Sequence, residues 1–305
     1  MQELAVMEQS LTIGFVGLGA IGSGVAKNLL KAGHDVVGFD LVSERSGELA
    51  AAGGRAAASP RLAAEKTDYV MTALPEPKHL DDAVTGEDGI ASAQEPPRML
   101  IDLSTVDPDT TLRVAERLRL EDVRMLECKI TGSSRDAENA TMRLLAGGEI
   151  ADLDEVRHVM DRLSEEIVYC GPLGTASTLK LIHNMLAFTI ILADAEALTL
   201  GAKAGLDIGF MVDLFRKTVV WNRSLEAVFE GSVFERDFKP GFLTRHALKD
   251  VRLGTELASR IGSITPYAAV TQQMFTASTA KGFGEENFTS AVRLWEEVAG
   301  VELSA

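Results

Sequence analysis

The sequence contains few cysteines and too few basic side chains to balance its acidic ones, and each shortage excludes a class of protein. Its 305 residues include only Cys128 and Cys170, too few for a disulfide framework, which favours a reducing compartment. Thirty Lys and Arg against 45 Asp and Glu give a formal net charge of −15. Because so acidic a surface repels phosphate backbones and no basic patch is evident, nucleic acid is not an expected partner.

Targeting, membrane and metal-binding patterns are also lacking. The first ten residues, MQELAVMEQS, contain no Lys or Arg and no long apolar stretch, unlike a signal peptide. The longest apolar region, 185–200, contains Asp194 and Glu196 and is shorter than the ~20 residues of a membrane span, so a buried helix is expected. The histidines lack ligand spacing with cysteines or acids, so no metal site is expected. These absences favour a cytoplasmic protein.

The pattern of apolar residues divides the chain into two halves, as its length of about two domains also suggests. Up to residue 170, short apolar runs alternate with amphipathic stretches, which predicts a mostly parallel, doubly wound α/β sheet. After 171–174 the strand signals stop, and helices are expected to the end. We therefore predict domains at 1–170 and 171–305, joined by a long helix that starts near residue 175. The predicted strands are 12–16, 35–39, 68–74, 99–103, 123–128, 142–146 and 167–170.

A glycine motif follows the first predicted strand. Residues 17–22, GLGAIG, match G-x-G-x-x-G inside a ~30-residue βαβ unit, the context that makes this pattern specific. Gly17 permits a tight turn, Gly19 lets the backbone approach a pyrophosphate, and Gly22 lets the helix pack on the strand. The helix N-terminus, at Ala20 and Ile21, offers N–H groups to phosphates. The first half is thus predicted to be a Rossmann-type NAD(P)-binding domain.

The residue that ends the second strand bears on the choice of dinucleotide. Asp40 lies 18 residues after Gly22, where an acid accepts hydrogen bonds from the adenosine ribose and repels a 2′-phosphate. Leu41 follows where an NADP site often has a cation, although Arg45 is close. The sequence therefore favours NAD over NADP.

Five blocks of sequence, in order, resemble the β-hydroxyacid dehydrogenase family, which includes 3-hydroxyisobutyrate dehydrogenase and tartronate semialdehyde reductase and is related to 6-phosphogluconate dehydrogenase. The blocks are GFVGLGAIGSGVAKNLLKAGHDVVGFD at 14–40, IDLSTVDPDT at 101–110, TGSSRDAENATMRLLAGG at 131–148, GPLGTASTLKLIHN at 171–184 and FLTRHALKDVRL at 242–253. The resemblance implies a role for each matching residue. Leu74, Pro75, Thr105 and Lys249 would contact the cofactor; Thr131, Gly132, Ser133 and Phe242 the substrate; Lys180 would be catalytic, and Asn184 would orient the substrate.

The chain departs from the usual family pattern at the substrate turn. Where relatives have a sequence close to Asp-Ala-Pro-Val-Ser-Gly-Gly, residues 127–133 read ECKITGS, which places Lys129 at the proline and Ser133 at a glycine. Ala140 also replaces a glycine. His183 is similar to the 6-phosphogluconate branch, and we expect it to be a packed or helix-bonded histidine.

The spacing of Lys180, His183 and Asn184 lets them share one helical face, which can point into a cleft between the two halves. Oxidation of a hydroxyl to a carbonyl requires a proton acceptor and a fixed geometry between carbon and nicotinamide. A desolvated lysine can accept the proton in one direction and return it in the other. Apolar residues flank Lys180, which favours the catalytic interpretation over a surface lysine.

The substrate turn offers hydroxyls and successive N–H groups in residues 131–133, an arrangement that can bind a carboxylate. Lys129 has two interpretations. It shares a strand face with Thr131 and could bind a second anionic group of the substrate, or it could pair with Glu127 at the surface.

The sequence thus predicts a lysine-dependent, metal-independent NAD(P) oxidoreductase that acts on a small anionic β-hydroxy acid or the matching semialdehyde. Two alternatives are an imine or carbonyl reductase on the same scaffold and a catalytically inactive dinucleotide-binding protein. The helical second half, with its long apolar helix, suggests a homodimer or homotetramer.

Overall fold

The computed structural model describes residues 10–304 and forms two compact units, the first ending at Lys180 and the second beginning at Leu181. The expectation about the N-terminal segment falls largely on residues 1–9, which lie outside the described residues. Each unit has an apolar core of its own.

The first unit is built on a sheet whose eight described strands have the order β3-β2-β1-β4-β5-β6-β7-β8. All neighbouring strands are parallel except the antiparallel pair β6 and β7. The predicted doubly wound, mostly parallel sheet is therefore confirmed. The strands are β1 Thr12–Val16, β2 Asp35–Phe39, β3 Arg55–Ala56, β4 Tyr69–Thr72, β5 Met99–Asp102, β6 Arg124–Thr131, β7 Met142–Gly147 and β8 Ser164–Gly171.

The central strands are apolar on both faces because helices cover both sides of the sheet. Successive side chains of a strand point to opposite faces, so Met71 and Ile101 enter one apolar cluster while Val70 and Leu100 enter another. All residues of β4 and β5 are buried. This double burial explains the continuous apolar runs in the sequence.

Helices separate the strands of the first unit, and local sequence signals account for several of their starts. The start of α5 is an example, since Asp107 accepts a hydrogen bond from the Thr110 N–H and Pro108 occupies the first turn. The helices are α1 Ala20–Lys31, α2 Ser43–Ala51, α3 Pro60–Ala64, α4 Pro77–Thr85, α5 Pro108–Arg119, α6 Ser134–Asn139 and α7 Ile150–Met160, with a 3₁₀ turn at Ile90–Ser92.

Two short elements have no counterpart in the predicted pattern. β3 has only two residues, both exposed at the edge of the sheet, so no periodic signal marks it. Helix α6 follows the substrate turn and ends at Ala140, whose φ of 58° and ψ of 34° are left-handed. The glycine that relatives have at this position suits that backbone conformation.

The second unit is helical, as predicted. The long helix α8, Thr175–Lys203, begins in the first unit, near the residue at which the sequence predicts a helix start, and continues into the second. The aromatic rings of Phe188, Phe229 and Phe275 lie in the core of this unit. Its other helices are α9 Ile208–Phe215, α10 Thr244–Ile261, α11 Pro266–Ala280 and α12 Arg293–Ala299, with a π-helix at Leu225–Val233 and 3₁₀ turns at Phe283–Glu285 and Phe288–Val292.

Helix α8 is long and apolar enough, by length and composition alone, to cross a membrane. About 39% of its most apolar window is buried inside the protein, and Asp194 and Glu196 lie within the helix. Buried core helices of ordinary proteins commonly combine these properties.

Candidate active site

The turn between β1 and α1 has the geometry that a pyrophosphate requires. Gly17 has a φ of +96°, and a Cβ there would lie 2.5 Å from the Ala73 carbonyl oxygen. A Cβ at Gly22 would collide with the Gly17 carbonyl. At Gly19, by contrast, a Cβ would meet no atom within 4 Å, so this glycine leaves open space at the start of α1. No side chain caps α1, and its first turn carries no acidic residue, so the turn fits an anionic cofactor.

Asp40 is held at the end of β2 by backbone groups. Its Oδ2 accepts a hydrogen bond from the Leu18 N–H at 2.8 Å, and its Oδ1 accepts one from the Val42 N–H at 2.8 Å. Arg45 lies beside it, with Nη1 3.3 Å from Oδ1. The carboxylate is therefore fixed next to the glycine turn, with a cation beside it.

The loops after β4 and β5 are tied together. The Leu74 N–H donates to Ser104 Oγ at 2.9 Å, and the Ser104 N–H donates to Asp102 Oδ1 at 3.0 Å. Pro75 and Thr105, which the family resemblance assigns to the cofactor, follow these residues directly. Both loops leave the carboxyl ends of parallel strands, where open α/β sheets bind ligands.

The substrate turn differs from the carboxylate-binding arrangement expected for residues 131–133. Thr131 Oγ1 donates to the Arg143 carbonyl at 3.2 Å. The N–H and the hydroxyl of Ser133 both donate to Asp136 Oδ2, at 2.6 and 2.7 Å, and Ser133 Oγ accepts from the Asp136 N–H, which together form a capping box at the start of α6. Burial raises the pKa of Asp136, but hydrogen bonds from Ser133 and Thr141 outweigh this effect and hold it below its usual value. The protein's own carboxylate thus takes the Ser133 donors that we expected to bind substrate.

Lys129 is buried, so it does not bind a substrate, and its pairing with Glu127 occurs in the interior rather than at the surface. Its side chain is 0% exposed, so it reaches neither a substrate nor the surface. Its Nζ lies 2.5 Å from Asp102 Oδ2, and Glu127 Oε2 is 3.9 Å away. The prediction that Lys129 contacts substrate is therefore wrong, because the pairing of β5 with β6 brings Asp102 to its ammonium group.

The lysine and amide expected to carry the chemistry are both buried on α8. Lys180 is 7% exposed and Asn184 is 5% exposed. Their spacing of four residues on a continuous helix places both side chains on one helical face. Lys180 is the last residue of the first unit, whereas Asn184 belongs to the second.

In the second unit, Asn184 joins a buried group that sequence reasoning described only in part. Asn184 Nδ2 donates to Asp250 Oδ2 at 2.6 Å, and Lys249 Nζ lies 2.9 Å from Asp250 Oδ1. Asp250 is 0% exposed and was not among the predicted site residues. The sequence offers one clue to its role: it directly follows Lys249, to which the family resemblance assigns a cofactor contact.

His183 and Phe242 are the other residues of this unit that the sequence analysis considers, and His246 lies beside Phe242. His183 is exposed, so it is not a packed histidine, but its Nδ1 lies 3.0 Å from Asn184 Oδ1 on the same helix, which agrees with the helix-bonded alternative. Phe242 packs in the aromatic core, with its ring centroid 5.7 Å from Phe188 and 6.0 Å from His246. Burial lowers the pKa of His246 to about 4, with a further contribution from Lys249, so this imidazole is neutral at pH 7.

The remaining reactive groups do not form a second centre. Burial raises the pKa of Cys128 to about 12, which makes the thiol inert. Within residues 10–304, no group of His, Cys, Asp and Glu is arranged to hold a metal ion.

Comparison with known proteins agrees with this geometry. The family described as the NAD binding domain of 6-phosphogluconate dehydrogenase matches residues 12–171. A second family, described as NAD-binding of NADP-dependent 3-hydroxyisobutyrate dehydrogenase, matches residues 174–295. The fold and site thus define a dinucleotide-dependent oxidoreductase.

Individual proteins that resemble the chain narrow this class of oxidoreductase to one family. The chain is 30% identical to 2-(hydroxymethyl)glutarate dehydrogenase of Eubacterium barkeri, over 98% of this chain and 99% of the relative. It is 29% identical to the NAD-dependent L-serine dehydrogenase of Pseudomonas aeruginosa, over 94% and 99%. The solved 3-hydroxyisobutyrate dehydrogenase of Mycobacterium tuberculosis with L-serine has a TM-score of 0.86 at 27% identity, over 94% and 99% of the two chains. The chain belongs to the β-hydroxyacid dehydrogenase family.

Proposed function

We propose that this oxidoreductase exchanges a hydride between NAD and a small β-hydroxy acid or its semialdehyde, with Lys180 as general acid and base. The observation that carries this proposal is a buried lysine four residues before a buried amide on one helix. A strongly shielded ionisable group marks a candidate functional site. A lysine is also suited to exchange a proton with a substrate hydroxyl.

Each of these side chains has a distinct task. In the oxidative direction, Lys180 Nζ takes the proton of the substrate hydroxyl. In the reductive direction it returns that proton, and its positive charge stabilises the developing alkoxide. Asn184 orients the substrate hydroxyl, and its bond to Asp250 holds the amide in one orientation. NAD, when bound, supplies the hydride acceptor.

Most residues proposed to hold the cofactor belong to the first unit, and Lys249 belongs to the second. The open space at Gly19 and the start of α1 suit the pyrophosphate, and Asp40 suits the ribose hydroxyls. The fixed carboxylate at Asp40 and the exposed Leu41 after it favour NAD over NADP. The residues proposed to contact the cofactor are Gly17, Gly19, Ala20, Ile21, Gly22, Asp40, Leu74, Pro75, Thr105 and Lys249.

The substrate class is supported by the relatives. The hydroxy acids in their names carry a hydroxymethyl group on the carbon next to a carboxylate. We propose the same class for this chain, with the carboxylate at Thr131 and Gly132 and with Phe242 lining the pocket. Lys180 argues against an imine reductase, since reductases of that kind usually have a different residue at this position.

We also propose that the chain assembles with copies of itself. On α8, Ile182, Leu186 and Leu200 are 48%, 58% and 71% exposed, and their spacing places them along one side of the helix. An exposed apolar stripe is typical of a surface that another chain covers, and most soluble oligomers are symmetric homo-oligomers. Sedimentation equilibrium tests this directly, since a monomer at micromolar concentration would contradict it.

The experiment that tests the reaction is turnover of NAD and NADP with a panel of small hydroxy acids and semialdehydes. Lys180→Met is expected to lower kcat by roughly 10²–10⁴ and to leave dinucleotide binding nearly unchanged. Lys203→Met, at the exposed end of the same helix, is the matched control and is expected to keep the wild-type kcat. A Lys180→Met enzyme with near-wild-type kcat would disprove the assignment.

A further inference from the structure

A network of buried charges joins three neighbouring strands of the first unit. Thr72, Asp102 and Glu127 lie in register across the neighbouring strands β4, β5 and β6. Asp102 accepts hydrogen bonds from Thr72 Oγ1 at 2.7 Å and from Lys129 Nζ at 2.5 Å. Each of these four side chains is fully buried. Charges so far from water must be balanced locally.

The second carboxylate of this network lies at the start of α8. Glu127 Oε1 accepts from the Ala176 N–H at 3.0 Å, and its Oε2 accepts from the Ser177 N–H at 3.1 Å and from Ser177 Oγ at 2.5 Å. Ser177 Oγ also lies 2.9 Å from Thr111 Oγ1. Glu127 therefore caps α8 although it is 49 residues away from Ala176 in sequence.

The charges of the network are close to balance. Asp102 and Glu127 contribute two negative charges, which Lys129 and the positive end of the α8 dipole oppose. The backbone makes room for the cap, because any Cβ at Gly147, which pairs with Glu127 across β6 and β7, would collide with Glu127 Oε1. A side chain bonded at both oxygens and enclosed in this way is rigid.

The capped turn lies directly before Lys180. Ser177 and Lys180 are three residues apart on α8 and share a helical face. The direction of the Lys180 side chain follows from the position of this turn, because the helix is continuous from Thr175. A displacement of about 1 Å at a reacting group can cost a hundredfold in rate.

We propose that Glu127 is a positioning residue for Lys180 and that Lys129 is its counter-charge, which links the cap to Asp102. This inference rests on the proposed role of Lys180. The two carboxylates have separate tasks, since Asp102 holds the Ser104 loop and Glu127 holds α8. Lys129, which stands where the family usually has proline, connects the two.

The test compares the same chemical change at the two carboxylates. Glu127→Gln removes one of the oxygens that accept from α8 and presents an N–H₂ group to its N–H donors. Asp102→Asn removes one charge from the same network but does not touch α8, and its Oδ1 still accepts from Ser104. We expect Glu127→Gln to lower kcat about 10–100-fold with the dissociation constant of NADH unchanged. Asp102→Asn is expected to weaken cofactor binding, to leave the exchange of the α8 amides unchanged and to lower kcat less than Glu127→Gln does.

A second readout does not require turnover. Loss of an N-terminal cap is expected to speed hydrogen exchange of the Ala176 and Ser177 amides by roughly 2–30-fold in Glu127→Gln and not in Asp102→Asn. If Glu127→Gln does not fold, Ser177→Ala removes one donor to Glu127 without a change of charge. It is then expected to show faster amide exchange and a smaller loss of kcat.

The outcomes separate this proposal from the proposed function. An inactive wild type would refute the function, whereas amide exchange would still report on the cap. Unchanged exchange in Glu127→Gln refutes the cap. Faster exchange with unchanged kcat refutes the positioning role. Equal losses of kcat in both carboxylate variants, without a change in exchange, would mean that net charge rather than the cap is what matters.

Discussion

One buried lysine–carboxylate pair of the first unit, Lys129–Asp102, and one of the second, Lys249–Asp250, have their charges balanced by different kinds of neighbouring group. In the sheet, the Lys129–Asp102 pair is 0% exposed, the Ser104 N–H donates to Asp102, and N–H groups at the start of α8 donate to the neighbouring Glu127. In the helical unit, Lys249 and Asp250 are 6% and 1% exposed, and the further carboxylate oxygen binds the side chain of Asn184. The first pair is supported by the backbone and the second by another side chain.

This difference predicts where substitution has the stronger effect. Backbone donors stay in place when a neighbouring side chain changes, so the sheet network retains part of its support. The helical group has its support in side chains from α8 and α10, so one substitution removes a shared partner. Lys249 is also slightly more accessible than Lys129, which suits a residue that is proposed to contact the cofactor.

The largest effect is expected at Asp250. Asp250→Ala deprives both Lys249 and Asn184 of a buried carboxylate, and loss of one member of a buried pair typically costs about 3–5 kcal/mol. We expect that loss in the free energy of unfolding, measured by urea denaturation. Asp213→Ala, which removes an exposed partner of Arg216, is the control and is expected to change stability by less than about 1 kcal/mol. Similar losses in the two variants would contradict the comparison.

The sequence predicted the elements and the cofactor turn well because both depend on local patterns. Strands β1 and β2 lie at their predicted residues, and the positive φ at Gly17 follows from a motif of six residues. The contacts of Lys129 depend instead on the register of β5 with β6, which no local pattern specifies. For Glu127, the sequence does contain a local signal, because it is a charged residue inside an apolar strand.

The substrate turn shows a second limit. Ser133 and Asp136 match the S-x-x-D arrangement of a helix start, but the family resemblance directed attention to substrate binding instead. A local helix cap and an anion-binding turn use the same donors, so residue types alone do not separate them. The position of the Asp136 carboxylate decides between them.

A smaller effect is expected at Asp40, where a carboxylate of the first unit is again held by backbone donors. Asp40→Ala removes the proposed ribose acceptor and the charge that repels a 2′-phosphate. We expect kcat/KM with NAD to fall about 10–100-fold, as for loss of a charged hydrogen bond, and relative use of NADP to rise. Arg45→Ala in the same background is expected to reverse the gain with NADP. An unchanged ratio of NAD to NADP use in Asp40→Ala would refute the role of Asp40.

The smallest expected effect concerns the backbone itself, at the end of α6. Ala140 adopts a left-handed conformation with φ of 58°, which costs an L-residue about 1–2 kcal/mol relative to its normal conformations. Ala140→Gly removes this strain but adds unfolded-state entropy of about 0.5–1 kcal/mol, so a net gain in stability of up to about 1 kcal/mol is expected. Ala137→Gly, three residues earlier and fully buried inside α6, is the matched control and is expected to destabilise by about 1 kcal/mol or more. An Ala→Gly substitution should therefore raise the urea midpoint of unfolding at residue 140 and lower it at residue 137. If both variants lose stability, the left-handed backbone at residue 140 is not a source of strain. The glycine that the family has at this position would then need a different explanation.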